Sequence, residues 1–541
     1  MKINLKGKSV LTVVVALGIV AGLAIGAIVP MMGAPAGGSS PEASVFRYDL
    51  KRTGNSGLVS DITTPSERWI FDSGSTAGSM PEVGDINGDG RTEVVWGSGD
   101  GVVYALNENG QIIWTYQALG PLYASPGIGD VDGDGKNEVV IGGYLNNGGD
   151  PNLYALNGED GSLLWLFPTA GIQTAPTFYD VNSDGTLDVL IGSMDYYFYA
   201  LNGPDGSIIW KSEFEHFIRM TPPVGDIDKD GIDELLVADN HAVTRLFEVD
   251  GSLDWEINAG YGMAPTPIFA DVDGDGWDEI ITFSFGWWDR GILGAPKVYN
   301  HDGTLLWTNE QYTFFYSLPT LYDVDGDGLA DIINVDSDDQ VLIAYRGTDG
   351  TILYTAEPFE KNFMQPGLTT ADIDGDGEQE LLVSGNPNLF SINAADGSVD
   401  WVYDSGGERV YGTLVADLDG DGLAEILLRI GGRLICLENG FDPFDLLDEI
   451  IEYILNLEDE CFKNNADNRK NALVNKLEEV REMILSGDYE GAINKLKNDI
   501  RAKMDGQVDG DSNNDWIICQ DAQEDLTEMI DRLVNYLESL L

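Results

Sequence analysis

The sequence predicts a mainly β protein, an eight-bladed β-propeller closed by an N-terminal strand and followed by a small all-α domain of four helices. The first observation behind this prediction is an acidic motif, D-x-[DN]-x-D-G-x-x-[DE], which occurs eight times at intervals of 45, 50, 46, 45, 52, 49 and 45 residues. The second is a glycine followed four positions later by an aromatic residue, such as Gly161 and Trp165, after each of the first seven motifs. A repeat of this length is typical of one propeller blade.

Residues 1–32 form the first predicted element, a membrane anchor or signal segment. Three lysines precede an apolar run at residues 10–29 that is long enough to span a bilayer. Because the sequence Ala34-Pro35-Ala36 is a poor cleavage site, a retained anchor is favoured over a removed signal. The lysines are expected to stay in the cytoplasm, which places the rest of the chain outside it, after a linker at residues 33–43.

Residues 44–440 are predicted to form the propeller, with four short strands in each repeat. In the second repeat these strands are YASPGIGDV, EVVIGGY, NLYALN and LLWLF, all rich in apolar or β-branched residues and separated by turn residues. The eighth repeat has three such segments before Gly440, and the missing fourth matches residues 67–71. A strand from the N-terminus that completes the last blade closes the ring and leaves no open sheet edge.

Each acidic loop is predicted to hold one calcium ion. Calcium prefers about six to eight oxygen ligands in a flexible shell. The first, third, fifth and ninth residues of each loop offer side-chain oxygens, the seventh offers a backbone carbonyl, and the sixth is a glycine that permits a sharp turn. In chain order, the predicted ligands are Asp85, Asn87, Asp89, Arg91, Glu93, Asp130, Asp132, Asp134, Lys136, Glu138, Asp180, Asn182, Asp184, Thr186, Asp188, Asp226, Asp228, Asp230, Ile232, Glu234, Asp271, Asp273, Asp275, Trp277, Glu279, Asp323, Asp325, Asp327, Leu329, Asp331, Asp372, Asp374, Asp376, Glu378, Glu380, Asp417, Asp419, Asp421, Leu423 and Glu425.

Two other interpretations of the acidic loops are weaker. Isolated Asp-Gly and Asn-Gly pairs commonly form hairpin turns, but eight loops that keep oxygen ligands at the same positions exceed what a turn requires. Magnesium prefers a smaller octahedral shell, and a soft metal prefers sulfur ligands. Asn87 and Asn182 lower the charge of the first and third loops, which are therefore expected to bind calcium more weakly.

The composition restricts the class of partner. The formal net charge of −62 argues against nucleic acid and anionic lipid surfaces, because both would repel the chain. Of the 92 acidic residues, 30 occupy the first, third, fifth or ninth position of a loop, and the others leave a negative surface that is also typical of salt-adapted proteins. Cys461 and Cys519 could form a disulfide in an oxidising compartment, whereas Cys436 lies in an apolar strand pattern and is expected to be a buried free thiol.

The acidic loops resemble the FG-GAP/VCBS repeats of calcium-binding propellers, a family that includes the head of integrin α-subunits. The LYALN segment at residues 153–157, followed by Trp165, is similar to the tryptophan-docking repeats of quinoprotein-like (PQQ-like) propellers. The two resemblances cover residues 44–440 and imply the fold and calcium binding. Quinoprotein dehydrogenases carry a vicinal cysteine pair beside their cofactor, and Cys436 is the single cysteine of this segment, so a bound quinone is not expected.

Residues 441–541 are predicted to form the helical domain. The first helix is expected to begin at Asp442-Pro443, because a capping residue precedes a proline, and further helices are expected at about residues 467–485, 489–504 and 521–540. The segments FKNNADNRKNALVNKLEEV, GDYEGAINKLKNDI and NDWI resemble the FIMAH-type C-terminal domain of prokaryotic secreted proteins.

A rim of aromatic residues is expected near the propeller axis, on the face where each blade connects to the next. These connections carry Tyr123, Phe217, Arg219, Tyr261, Phe315, Tyr316, Phe363 and Tyr411, and insertions or turns add Trp287, Trp288, Tyr196 and Tyr197. Such a rim could stack on sugar rings or anchor a protein partner, or its members could pack between blades.

The function predicted from these features is that of an extracytoplasmic calcium-binding surface protein, acting in recognition, adhesion or scaffolding with a protein or glycan ligand. His216 with Arg219 is the nearest approach to a catalytic group, so a non-enzymatic role is preferred. One alternative is an extracytoplasmic propeller enzyme, either a polysaccharide lyase or a quinoprotein-type dehydrogenase. Another is a self-assembling subunit of a surface layer or filament.

Overall fold

The computed structural model of the chain describes residues 48–144, 151–240, 243–258, 266–283, 294–312, 315, 317–359, 367–440, 443–503 and 516–539. The predicted anchor and linker, residues 1–43, lie outside the described residues. Contacts divide the chain into two compact units. One comprises the chain up to Ser60 with Trp69–Cys436, and the other comprises Asp61–Arg68 with Leu437–Leu541.

The propeller is confirmed: the described residues form 33 strands in eight sheets, of which seven have four strands and one has five. Two strands precede the first blade, namely β1 (Asn55–Val59) and β2 (Pro65–Asp72). Blades 1 to 4 contain β3 (Glu82–Gly84), β4 (Glu93–Gly97), β5 (Val102–Leu106), β6 (Ile112–Gln117), β7 (Gly127–Gly129), β8 (Glu138–Gly142), β9 (Asn152–Asn157), β10 (Leu163–Pro168), β11 (Thr177–Tyr179), β12 (Asp188–Gly192), β13 (Tyr197–Leu201), β14 (Ile208–Glu213), β15 (Val224–Gly225), β16 (Glu234–Ala238), β17 (Val243–Glu248) and β18 (Leu253–Asn258).

Blades 5 to 8 repeat this arrangement. They contain β19 (Ile268–Ala270), β20 (Glu279–Thr282), β21 (Lys297–Tyr299), β22 (Leu305–Thr308), β23 (Thr320–Tyr322), β24 (Asp331–Asp336), β25 (Val341–Tyr345), β26 (Ile352–Ala356), β27 (Leu368–Asp372), β28 (Glu380–Ser384), β29 (Leu389–Asn393), β30 (Val399–Tyr403), β31 (Val410–Ala416), β32 (Glu425–Ile430) and β33 (Arg433–Asn439). Blade 8 has three strands of its own, and its fourth is β2, which gives the order β2-β33-β32-β31. The predicted N-terminal closure is therefore confirmed.

The burial of each strand follows its position in the blade. The second strands, such as β8, are buried along their length, because neighbouring blades cover both faces of the sheet, and Arg429 in β32 is the one partly exposed residue among them. The fourth strands, such as β10, are partly exposed and alternate more clearly. Continuous apolar runs in the second strands and mixed patterns in the fourth are the sequence counterparts of these two environments.

Tryptophan side chains on the fourth strands connect neighbouring blades. Trp165 Nε1 donates a hydrogen bond to the Gly203 carbonyl of the following blade at 2.6 Å, and Trp69 of β2 donates to the Glu108 carbonyl of blade 1 at 3.0 Å. Gly110 faces Trp69 so closely that a Cβ there would lie 2.7 Å from the indole ring. The glycine and aromatic pattern thus produces the contacts between blades, and Trp69 joins blade 8 to blade 1.

The segment at residues 48–60 contacts the innermost strands of several blades, which the sequence analysis did not anticipate. The carbonyls of Leu50, Lys51 and Gly54 accept hydrogen bonds from blades 4, 5 and 7 at 3.0 to 3.1 Å, and β1 pairs in parallel with β27. Arg52 is fully buried and donates to the Pro222 carbonyl at 3.2 Å. The segment therefore lies along the propeller axis, where all the innermost strands face.

The helical unit contains α1 (Pro443–Asn456), α2 (Ala466–Leu485), α3 (Tyr489–Lys495) and α4 (Gln520–Ser539), which confirms the predicted helices. The Asp488 side chain caps α3 by accepting a hydrogen bond from Gly491 N at 3.0 Å. After α3 the helix continues as one wider turn, Leu496–Ile500, so the predicted helix at residues 489–504 is not a regular α-helix throughout. The apolar faces of the four helices form one hydrophobic core.

The cysteines are arranged as the sequence suggested. Cys461 and Cys519 form a disulfide in the helical unit, with Cα atoms 4.9 Å apart, and Cys436 is buried in β33 as a thiol outside any disulfide. Within the described parts of the chain, no helix has both the length and the apolar character required to cross a membrane.

Candidate metal centres

Each acidic loop joins the innermost strand of a blade to the second strand. The ninth loop residue is always the first residue of the second strand, so the sheet fixes the position of its carboxylate. This side chain is buried in all eight blades, with exposed fractions of 0% to 6% for Glu93, Glu138, Asp188, Glu234, Glu279, Asp331, Glu380 and Glu425. A buried carboxylate requires hydrogen bonds or a cation to offset its lost hydration.

Backbone N–H groups orient the carboxylates within each loop, as loop 2 illustrates. Asp130 accepts hydrogen bonds from Gly133 N at 2.7 Å and Gly135 N at 3.0 Å. Asp132 accepts one from Asp134 N at 3.1 Å. The chain therefore winds around its own acidic side chains, in the manner of successive Asx turns.

Carboxylate oxygens converge in the described loops. In loop 4, oxygens of Asp226, Asp228, Asp230 and Glu234 all lie within 4.8 Å of one another. Carboxylate oxygens of three residues lie equally close together in four other loops: Asp130, Asp132 and Glu138 in loop 2, Asp271, Asp273 and Glu279 in loop 5, Asp323, Asp325 and Asp331 in loop 6, and Asp372, Asp374 and Glu380 in loop 7. The structure thus brings together the first, third and ninth predicted ligands in these five loops, and in loop 4 the fifth as well.

The sixth loop residue is a glycine whose backbone no other residue adopts readily. Its φ lies between 85° and 94° in all eight loops, for example 93° at Gly231. The fourth residue is less demanding, because Ser183 and Lys229 occupy it with φ of 58° and 59°, in the left-handed region that polar residues tolerate better. The invariant glycine of the motif therefore reflects backbone geometry.

Burial raises the pKa of the ninth carboxyl group. The pKa of Glu234 is raised to about 8, first by burial and then by the charges of Asp228 and Glu248, against hydrogen bonds that lower it. The pKa values of Glu138 and Glu279 are also raised to about 8, and those of Glu93 and Glu380 to about 7, with burial as the largest cause in each. Without a cation, these groups resist ionisation near neutral pH.

Loop 4 provides the test of whether a cation fits. Asp226 Oδ1 and Glu234 Oε1 are both buried, and neither has a hydrogen-bond partner in the structure. Glu234 Oε2 accepts the Ile227 N–H at 2.8 Å, so one oxygen is held by the backbone and the other remains for a ligand. Two buried oxygens of this kind, beside two further carboxylates, suit a hard divalent cation.

Loops 3 and 6 differ because their ninth residue is aspartate. Asp188 accepts hydrogen bonds from Val181 N at 3.1 Å and Gly203 N at 3.2 Å, one on each oxygen. Asp331 accepts from Val324 N at 3.0 Å and Gly347 N at 2.9 Å in the same way. The shorter side chain therefore has both oxygens engaged by the backbone, and its pKa is raised only to about 6, mainly by burial.

The asparagines of loops 1 and 3 act on their neighbours through amide hydrogen bonds. Asn87 Nδ2 donates a hydrogen bond to Glu93 Oε1 at 2.9 Å. The corresponding oxygen of loop 4, Glu234 Oε1, has no hydrogen-bond partner. Asn182 Oδ1 accepts from Asp184 N at 2.9 Å, as the aspartates at this position do. The predicted weaker binding of these two loops stays a prediction, and these contacts supply a physical reason for it.

The seventh residues were predicted to contribute carbonyl oxygens. Their N–H groups donate to the fifth-position aspartate, for example Lys136 to Asp134 at 2.9 Å and Ile232 to Asp230 at 2.8 Å. This contact fixes the peptide on which the predicted carbonyl ligand lies. The identity of the side chain at this position is therefore unimportant, which explains why it varies from arginine to tryptophan.

The aromatic rim is only partly as predicted. Phe315 is fully buried and contacts Phe283 with ring centres 5.0 Å apart, so it belongs to the core. Tyr196 and Tyr411 are 44% and 38% exposed. Tyr261, Tyr316, Phe363, Trp287 and Trp288 lie outside the described residues.

Two family descriptions match parts of the propeller. Residues 130–191 and 323–383 match the FG-GAP-like repeat, and residues 82–147 match the lambda-carrageenase beta-propeller domain. The chain carries FG-GAP-like repeats within a β-propeller. Each matched FG-GAP-like segment begins at the first aspartate of an acidic loop, so the motif that predicted the cation sites is also the one that defines the repeat.

Solved structures with the same fold have diverse roles. The chain is similar to the biofilm matrix protein Bap1 of V. cholerae, with 15% identity and a TM-score of 0.53 over 70% of this chain and 92% of that one. It is similar to the quinohemoprotein alcohol dehydrogenase of Comamonas testosteroni, with 12% identity and a TM-score of 0.52 over 75% of this chain and 83% of that one. It is also similar to the exotype rhamnogalacturonan lyase YesX, with 17% identity and a TM-score of 0.51 over 67% of this chain and 72% of that one. No curated protein matches the sequence. At these identities the similarity shows the fold alone.

Proposed function

We propose that this protein is an extracytoplasmic, calcium-binding surface protein that acts in recognition, adhesion or scaffolding, with its partner a protein or glycan. The observation that carries the proposal is the set of acidic loops, in which a buried ninth carboxylate converges with other acids in at least five blades. In loop 4, two buried oxygens without hydrogen-bond partners favour calcium, whose shell accepts many oxygens in irregular geometry. Bound calcium would offset the repulsion within each loop and stabilise the first hairpin of each blade.

Three further observations support a location outside the cytoplasm. The disulfide between Cys461 and Cys519 is a bond that persists in oxidising compartments. One protein of similar fold, Bap1, is a biofilm matrix protein. The apolar run at residues 10–29 would tether the chain to the membrane or direct its export.

The experiment is to express the full chain on host cells and to measure cell attachment to surfaces coated with glycans or with extracellular matrix proteins. Protease applied to intact cells should remove the propeller, and attachment should be lost with a calcium chelator and restored by calcium but not by magnesium. Cells that carry the empty vector are the control. Protection of the chain from protease, or attachment that is indifferent to both the chain and calcium, would contradict the proposal.

A further inference from the structure

In blades 1 to 7, one residue at the end of the third strand lies directly opposite the ninth loop residue. In blade 4, the pairing of β16 with β17 places Glu248 opposite Glu234. Directly opposite residues of an antiparallel pair point to the same face of the sheet, with Cβ atoms about 5 Å apart. We call this place the opposing position. The same register in blades 1, 2, 3, 5, 6 and 7 gives the corresponding residues, which are Asn107, Asn157, Asn202, Asn300, Arg346 and Asn393.

Asparagine is the usual residue at the opposing position, and it occurs in five of these seven blades. Its side chain bonds to the turn that follows the third strand, as when Asn393 Oδ1 accepts a hydrogen bond from Ala395 N at 2.9 Å. Glu248 in blade 4 and Arg346 in blade 6 replace it with opposite charges. Their backbones resemble that of asparagine, since the N–H of each donates to the carbonyl four or five residues later, at 2.9 Å and 2.7 Å. The blades therefore differ in the charge that they place beside the acidic loop.

Glu248 adds a fifth carboxylate beside loop 4. Its Oε2 is buried and has no hydrogen-bond partner among the described residues, as is also true of Asp226 Oδ1 and Glu234 Oε1. Val249 N donates to the Asp233 carbonyl at 3.0 Å, so the backbone next to Glu248 is held against the end of the loop. Burial raises the pKa of Glu248, and the charges of two loop aspartates add to the increase. Three buried oxygens without donors in one blade favour a hard cation with a large shell of oxygen ligands.

Arg346 instead brings a positive charge to loop 6. Its Nε and Nη2 both donate to Asp325 Oδ2, at 3.0 Å and 2.9 Å, and Asp325 is the third predicted ligand of this loop. The ninth, Asp331, has both oxygens engaged by backbone N–H groups. A guanidinium group therefore already holds a carboxylate that a calcium ion would need, and calcium would have to displace it.

Basic side chains beside loops 1 and 2 have other partners. Arg91 and Lys136 occupy the seventh position of these loops and form ion pairs with Glu108 and Glu159, neither of which is a predicted ligand. Their positive charges therefore neutralise carboxylates outside the loops. Arg346 differs because the carboxylate that it contacts belongs to the loop itself.

We infer that the opposing position determines how strongly a loop binds calcium: Glu248 makes loop 4 the strongest site, and Arg346 takes the place of the ion in loop 6. Calcium affinity increases with the number of charged ligands, and a fixed positive charge within the shell repels a divalent cation. Loop 6 is therefore expected to hold no calcium, although it carries every acidic residue of the motif. This inference rests on the proposed calcium binding and gives the sites an order that the motif alone does not.

The test for loop 6 is the number of calcium ions bound to the full chain in detergent micelles, measured by equilibrium dialysis and metal analysis. Arg346→Asn gives blade 6 the residue that five other blades have, and it should add one bound ion at about 1 mM free calcium. Arg346→Lys keeps the positive charge and should add none. Asp323→Asn combined with Arg346→Asn should remove the added ion, which would assign that ion to loop 6.

The test for loop 4 is the affinity of the strongest site, obtained by dialysis at low free calcium. Glu248→Asn should weaken that site at least about fivefold, because one ligand charge is lost. It should cause no further loss of calcium in the Asp226→Asn variant, because both changes act on the same loop. Glu256→Gln and Arg433→Asn are the controls, since each removes one member of an ion pair away from the predicted ligands, and both should bind calcium normally.

Melting temperatures in calcium verify that each variant folds, and Arg346→Gln replaces Arg346→Asn if the latter does not. An unchanged number of ions in the folded Arg346 variant would overturn the inference for loop 6, and unchanged affinity in folded Glu248→Asn would overturn it for loop 4. If the unaltered chain binds calcium and neither variant changes this binding, the inference is wrong and the calcium-binding function stands. If neither the unaltered chain nor any variant binds calcium, the proposed function itself is wrong.

Discussion

The acidic loops of blades 3 and 4 are neighbours with the same motif but different internal contacts. In loop 3, Asp188 has both oxygens engaged by backbone N–H groups. In loop 4, the longer Glu234 engages one backbone N–H and leaves Oε1 buried without a partner, beside Asp226 Oδ1 in the same condition. Loop 4 therefore holds two buried carboxylate oxygens that are available to a ligand, whereas both oxygens of Asp188 in loop 3 are already engaged.

The largest expected effect is on the pH dependence of the calcium-free protein, because several blades share the raised pKa. A folded pKa of about 8 for Glu234, above the ordinary 4.5, means that the folded state holds its proton more tightly than the unfolded state. This stabilisation is complete below about pH 4.5 and is lost as pH rises through 8. In chelator, the melting temperature should fall steadily from pH 5 to pH 8, and added calcium should protect most at the upper end.

The two loops should contribute to different parts of that pH range. Glu234→Gln should flatten the decrease from about pH 4.5 to pH 8, whereas Asp188→Asn should have no effect on the slope above about pH 6, because the pKa of Asp188 is raised only to about 6. A chelator-treated melting temperature that does not change with pH would show that the buried carboxyl groups do not titrate as described.

Removal of a first aspartate should separate the two loops by calcium affinity. Asp226→Asn in loop 4 should reduce the number of bound calcium ions by one and abolish that site's contribution to stability, about 2.7 kcal/mol when calcium is a hundredfold above Kd. Asp180→Asn in loop 3 should have a smaller effect, because Asn182 and the engaged oxygens of Asp188 are expected to make that site bind calcium more weakly. Metal analysis measures the number of bound calcium ions in the two variants, and the melting temperature in calcium measures their stability. Equal decreases in the two variants would contradict the predicted difference between loops 3 and 4.

Much of this architecture could be predicted because it depends on local rules repeated many times. Eight copies of one motif reveal the blades, and the strand pattern at residues 67–71 revealed the closure that Trp69 completes. Residues 48–60 were missed because their role depends on hydrogen bonds to strands more than a hundred residues away, such as Leu50 with Val224. No periodicity or composition marks such a contact in advance.

The candidate cation sites were predicted by residue type but not by geometry. The spacing indicated which residues carry oxygen ligands. It did not indicate that backbone N–H groups donate to both carboxylate oxygens of Asp188 but to one oxygen of Glu234, because these hydrogen bonds depend on the fold. The surroundings of Tyr411 show the same limit. Tyr411 was predicted as a member of the aromatic rim, but the contact of its ring with both Arg409 and Arg429 was not, because Arg429 lies 18 positions after Tyr411 and such a separation gives no sequence signal for a shared aromatic contact.

The backbone of loop 4 provides a contrast between two adjacent turn positions. Gly231→Ala should destabilise the protein by about 1–2 kcal/mol, because a φ of 93° is unfavourable for any residue with a Cβ, although no atom lies within 4 Å of the new methyl group. Lys229→Gly, two residues earlier at a φ of 59°, relieves backbone strain but loses the contact of Lys229 Nζ with the Trp277 ring at 4.6 Å, so it should cost less than Gly231→Ala. Chemical denaturation with calcium measures both, and a harmless Gly231→Ala would contradict the explanation given for the invariant glycine.

The smallest expected effect tests whether loop 3 can be brought closer to loop 4. Asn182→Asp adds one negative charge beside Asp180 and Asp184, and an additional charge at a partly solvated site contributes on the order of 1 kcal/mol to cation binding. The calcium affinity of loop 3 should therefore increase by about fivefold to tenfold, while chelator-treated protein becomes slightly less stable because the repulsion increases. Calorimetric titration of the Asn182→Asp variant and of the unchanged chain under the same conditions measures this change, because the other seven loops are common to both. If affinity does not increase, the two engaged oxygens of Asp188, and not the missing charge, limit the site, and Asp188 is then the residue that distinguishes the loops.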